Sequence, residues 1–203
     1  MLLSTAYFPP LSWFALAAGS PVVQLEAFEH YTKQTWRNRC AIMTAGGRET
    51  LHVPVVQSGG KVPIREVRIE YLTPWVVRTE RTIDSAYRSS AWFDYYRDSL
   101  YSILESGEEY LFDLNLNIIN YFLQKIGIPT AVVPTTEWTP QGGGDDWRDA
   151  LHPKREDTVL RDMGLEKPYF QVFSGKYGFV PNLSVMDLLF NEGPESVFYL
   201  RKP

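Results

Sequence analysis

The side chains best suited to chemistry gather between Glu26 and Arg39, where the chain reads EAFEHYTKQTWRNR. Guanidinium groups at Arg37 and Arg39 suit two-pronged capture of a phosphate or carboxylate, and Tyr31 or Trp36 offers a ring on which a base or sugar can stack. From Phe28 to Glu70, Lys33, Arg37, Arg39, Arg48, Lys61, Arg65 and Arg68 face only Glu29, Glu49, Glu66 and Glu70, a net of +3 inside a chain of net −4. The same spacing has a plainer reading: two apart, Arg37 and Arg39 share one face of a strand and stand in solvent.

A second polar group lies near the end, in FVPNLSVMDLLFNEGPE. Asn182, Ser184, Asp187, Asn191 and Glu192 are set among Val185, Leu188 and Leu189, the pattern of a capped amphipathic helix, though Asp187 could also face a cleft. Glu26 and Asp187 are the candidates for a general base, its pKa raised by burial. There is no Gly-x-Ser-x-Gly elbow, no phosphate-binding P-loop and no Gly-x-Gly-x-x-Gly, and His30, His52 and His152 lack metal-ligand spacing. Neither a cofactor nor a metal site is expected. Cys40 sits in an apolar run and reads as a buried, inert thiol.

These residues need a scaffold. Leu2 to Tyr7 and Val22 to Leu25 read as strands around a helix from Leu11 to Ala18, and Tyr7-Phe8-Pro9-Pro10 falls at the first strand's carboxyl end, where α/β folds place ligands. Arg39 to Thr44 and Glu49 to Val55 form a hairpin about Gly46-Gly47, and Val67 to Tyr71 reads as a further strand. After Pro74 the pattern turns helical. Ser90 is placed to cap a helix running from Trp92 to Leu104, and Ser106 with Glu109 spaces a capping box ahead of a helix from Leu111 to Ile126, stopped by Gly127. Ile128 to Val133 reads as a strand, Pro134 to Trp147 as a mobile loop around Gly142-Gly143-Gly144, Arg155 to Met163 as a short helix, and Val185 to Phe190 as another, capped by Asn182 or Ser184. The expected fold is a single α/β domain with a mixed sheet flanked by helices, with α+β as the alternative.

Composition narrows the partners. With 203 residues, 44% hydrophobic and 22% charged, the chain is that of a globular protein. Its net charge of −4 disfavours nucleic acid, and a single cysteine forbids an internal disulfide, so the cytoplasm is the default location. The apolar start to Leu25 is neither signal peptide nor membrane span, because the first basic residue is Lys33 and Pro9-Pro10 would break a spanning helix.

Four blocks in order, LLSTAYFPPLSWF, EAFEHYTKQTWRNRCAIMTAGGRETLHVPV, TIDSAYRSSAWFDYYRD and YFQVFSGKYGFVPNLSVMDLLFNEGPE, resemble the WbqC-like family in the form found in Bacteroides-type bacteria. The resemblance implies a transferase of bacterial surface-polysaccharide (O-antigen type) biosynthesis, moving an acyl or aminoacyl group such as glycyl onto an amino sugar. A sugar or nucleotide-sugar would be the substrate, with an acyl or aminoacyl donor. The alternative is a non-catalytic protein of the same pathway that binds a sugar or a partner. By position the resemblance adds Tyr7, Lys33, Asn38, Tyr87, Asn182 and Ser184 to Arg37 and Arg39 as substrate-binding candidates. Thr79 stands where many members carry a histidine, so a mechanism using a histidine base there would fail in this chain. Glu26, Lys33, Asn38 and Arg39 are therefore expected to line one pocket beside the Tyr7 to Pro10 turn, with Asp187 at its edge.

Overall fold

Apolar runs punctuated by proline and glycine build the front of the molecule. β1 (Leu2–Ser4), α1 (Leu11–Ala18) and β2 (Val22–Glu26) follow one another, and β1 and β2 pair in parallel with Leu2 opposite Gln24 and Ser4 opposite Glu26. The structure, a computed structural model, describes residues 1–56, 61–140 and 145–201. α1 is buried from Leu11 through Ala17, as a helix apolar on all sides must be. β1 is shorter than its apolar run, because Phe8 turns the chain at a φ of 42° and Tyr7 N–H donates to the Trp36 carbonyl at 2.8 Å.

β3 (Arg39–Thr44) and β4 (Gly47–His52) form an antiparallel hairpin with its own two-stranded sheet, and Gly47 takes the φ of 111° that its turn requires. Three helices follow: α2 (Trp75–Tyr87), α3 (Phe93–Leu104) and α4 (Leu111–Ile126). The expected caps do not form. Trp92 and Tyr110 occupy the cap positions, and the Ser106 hydroxyl donates to the Ile103 carbonyl instead. Gly127, at a φ of 79°, does stop α4. β5 (Ala131–Pro134) returns beside β2, giving the parallel order β1-β2-β5. The remaining helices are α5 (Val159–Asp162), α6 (Ser174–Tyr177), α7 (Val185–Glu192) and α8 (Val197–Leu200). Ser184 caps α7 by accepting from Met186 N–H.

Helices with parallel and antiparallel strands make this an α/β fold, the two kinds of pairing being divided between two sheets. Val67 to Tyr71 is not a strand. Its backbone bonds alternate between two loops, Val67 and Ile69 with Glu109 and Leu111, Arg68 and Glu70 with Pro54 and Val56, so no continuous ladder forms. The triple glycine expected at the heart of a mobile loop lies outside the described residues.

The chain after β5 takes an informative path. It leaves one edge of the sheet, meets the end of β2, and arrives at the other edge, where Leu2 N–H donates to the Asp145 carbonyl (2.9 Å) and Trp147 N–H to the Leu2 carbonyl (3.0 Å). Residues 135–140, against the end of β2, and 145–148, paired along β1, are together called the strap.

Candidate functional site

β1 ends at Ser4, and the chain beyond it opens a cleft walled by Thr5, Ala6, Trp13, Trp36, Arg37 and Trp147. The cleft is narrow, with about 10 Å³ of free room, enough for one water-sized group. In its wall Arg37 grips Glu29 with both prongs, Nε to Oε1 at 2.9 Å and Nη2 to Oε2 at 2.5 Å, and Nη2 also meets Ser4 Oγ at 3.1 Å. Asn115 of α4 fixes the Arg37 carbonyl at 2.8 Å. Thr5 is 1% exposed and its hydroxyl has no hydrogen-bond partner. A buried polar atom left open at a cleft wall is the kind a ligand satisfies.

Glu26 lies one step behind, at the end of β2, with no exposure at all. Its carboxylate accepts from Phe28 N–H (2.9 Å), Thr135 Oγ1 (3.1 Å), Thr139 N–H (3.3 Å) and Arg148 Nη1 (3.0 Å). Arg148 also grips Asp146, Nε to Oδ1 at 2.9 Å and Nη2 to Oδ2 at 2.6 Å, donates to the Thr139 carbonyl, and stacks under Trp138. The Glu26–Arg148–Asp146 triad is the clasp of the strap.

Asp187, on α7, sits in a separate buried network. It accepts from Tyr169 Oη at 2.6 Å and Gln171 Nε2 at 2.9 Å, with the Tyr87 hydroxyl nearby. Burial pushes its pKa up to about 6, against the pull of those donors. Tyr7 and Tyr87 are fully buried, their hydroxyls unpartnered and their pKa values raised by the same desolvation. Thr79 is buried beside Tyr7.

The expected convergence does not occur. Of Glu26, Lys33, Asn38, Arg39 and Asp187, none lines the cleft at β1. Lys33 is exposed, and Asn38 turns inward to donate to the Val53 carbonyl at 2.9 Å. Arg37 and Arg39 share no strand face, because Arg37 falls in a 3-10 turn (Trp36–Asn38) and only Arg39 begins β3. Arg39 instead faces a second groove with Arg48 and Lys154. Asn182, at a φ of 54°, accepts from Ser12 N–H and donates to Asp157, and Ser184 caps α7, so both tie the end of the chain to its beginning. Thr5, Glu29, Trp147 and Arg148 were not singled out by sequence reasoning. Only the charged cluster Asp145-Asp146-Trp147-Arg148 marked the last two, and it lay in a stretch without periodicity.

Among the described residues no group of three or more His, Cys, Asp or Glu side chains is arranged to hold a metal, and no helix is long and apolar enough to cross a membrane. A model of the WbqC-like protein family matches residues 5–159, more than half of the chain's 203 residues. The chain belongs to the WbqC-like family. An uncharacterized protein of Mycobacterium tuberculosis is 26% identical over 223 aligned positions, covering 98% of this chain and 96% of that protein. No solved structure matches. Within this WbqC-like chain, the matched span holds the cleft's walls from Thr5 onward, both members of the Arg37–Glu29 pair and the strap's clasp, whereas Asp187 lies beyond it.

Proposed function

We propose that the protein is a cytoplasmic transferase of bacterial surface-polysaccharide biosynthesis, acting on a sugar or nucleotide-activated sugar and moving an acyl or aminoacyl group such as glycyl onto an amino sugar. The observation that carries the substrate class is the unpartnered Thr5 hydroxyl in a cleft walled by three indoles. Sugar rings offer apolar faces to indoles and hydroxyls or amines to buried polar atoms. The size of the cleft sets the pose: one amine or hydroxyl enters it, and the ring rests outside against the half-buried Trp36 and Trp147. Of the two candidate bases, Glu26 lies at the end of β2 with its carboxylate held by Thr139 N–H and Arg148, and Asp187 has a pKa of about 6, suited to a base, on the more distant α7.

A second reading, a non-catalytic sugar-binding protein of the same pathway, is favoured by one specific observation: both carboxylates are hydrogen-bonded and absent from the walls of the cleft. The test uses tryptophan fluorescence, since indoles line the cleft. Thr5→Val is expected to weaken sugar binding by about 1–3 kcal/mol while leaving the melting temperature unchanged or raised, because it removes a hydroxyl that only the ligand satisfies. Unchanged binding would defeat the cleft assignment. Product formation from an amino sugar and an activated glycyl donor selects the transferase, and tight binding without turnover selects the binding protein.

A further inference from the structure

A second groove, of about 150 Å³, lies against the β3–β4 hairpin and shares Trp36 with the cleft. The antiparallel register explains its composition. Arg39 and Ala41 of β3 and Thr50 and Arg48 of β4 project from the same face, since Ala41 stands opposite Thr50 and Met43 opposite Arg48. Lys154 closes the groove from the loop after the strap.

The walls thus hold three cations and no carboxylate. The buried or half-buried guanidinium groups of Arg37 and Arg148, by contrast, are paired, Arg37 with Glu29 and Arg148 with Glu26 and Asp146. Arg39 and Arg48 have no hydrogen-bonded or ion-paired side chain among the described residues, and Arg39 Nε is buried without a partner. Among the described residues the Lys154 ammonium donates to the neutral amide of Gln34 and meets no carboxylate. Like charges collected in one groove repel unless an anion joins them.

We propose that this groove binds a diphosphate group. Three cations exceed what one carboxylate neutralises and match a ligand carrying two or more negative charges, with the Arg39 and Arg48 forks suited to phosphate oxygens. Because Trp36 forms part of both sites, a ligand with its sugar at the cleft and its diphosphate in the groove is a nucleotide-activated sugar. That full identity rests on the sugar reading above, whereas the anion site does not.

Calorimetry on the full chain at low salt, with pyrophosphate as the probe, tests the site. One pyrophosphate per chain is expected, weakened about tenfold by Arg48→Ala and by Lys154→Ala, with Arg39→Lys failing to replace Arg39. Arg81→Ala removes the same charge from the exposed face of α2 and should leave binding nearly unchanged. Absence of binding, or equal weakening by Arg81→Ala, overturns the proposal. A nucleoside diphosphate sugar should bind more tightly than pyrophosphate and lose only that excess in Thr5→Val. If pyrophosphate binds through the groove while no sugar conjugate binds better, the anion site stands and the sugar reading falls.

Discussion

Removing the guanidinium that clasps the strap should unfasten it at a measurable cost. Arg148 and Glu26 have side chains 1% and 0% exposed, so Arg148→Met leaves a carboxylate in the interior with its counter-charge gone. Breaking one side of a buried ion pair costs about 3–5 kcal/mol. Glu26 keeps three other donors, the Phe28 and Thr139 amides and the Thr135 hydroxyl, which places the expected loss at the lower end, about 3 kcal/mol. For a chain of this size, that corresponds to a melting temperature lower by about 6–12 °C. Adding Glu26→Gln removes the stranded charge and should recover roughly half of the loss, since the amide oxygen still accepts from those donors. Thermal and urea denaturation of the two single variants and the double variant measure the coupling, and hydrogen exchange at the Thr139 and Trp147 amides reports whether the strap opens ahead of the rest. An Arg148→Met protein melting within about 2 °C of the parent, with those amides still protected, would refute the clasp.

Gly193→Ala should destabilise by about 2–5 kcal/mol in denaturant titration, because the residue has a φ of 56° and an added Cβ would lie 2.4 Å from the Trp92 ring. Asp187 should make stability fall as pH rises: its folded pKa of about 6 exceeds the ordinary 3.8, so the native state holds the extra proton between those values. The associated stability, about 3 kcal/mol, is fully present below about pH 4 and lost as pH climbs through about 6, and Asp187→Asn should flatten that part of the profile. A parent profile as flat as the variant's there would show that burial does not protonate the group. Cys40 is 1% exposed and burial pushes its thiol well above the usual range, so alkylation at pH 8 should proceed only on unfolding.

The elements were more legible in the sequence than the site. Local signals sufficed for the β1, α1, β2 opening, where proline and glycine punctuate apolar runs, and for α4, where the three-and-four spacing and Gly127 agree. Caps misled, because Ser90 and Ser106 matched a pattern whose donors the fold does not bring near them. Val67 to Tyr71 has the composition of a strand but only loops for neighbours. The site was harder for a reason of scale. Whether a guanidinium is free depends on which acid folding brings to it: Arg37 meets Glu29 from eight positions earlier, and Arg148 meets Glu26 from 122. Arg39 and Arg48 stay unneutralised because hairpin register turns them both to a face without acids, and neither composition nor spacing displays that.

The strap also bears on the order of folding. β1 and β2 are joined through one short helix, whereas the strap's bonds to Glu26 span 109 to 122 residues and its pairing with Leu2 joins the first strand to Asp145 and Trp147. Contacts closing loops of that length form after the local units they connect. Interactions absent from the transition state govern the rate of unfolding and leave the rate of folding nearly untouched. The clasp is thus a kinetic latch: its loss should steepen the escape from the native state while the chain refolds at its former pace.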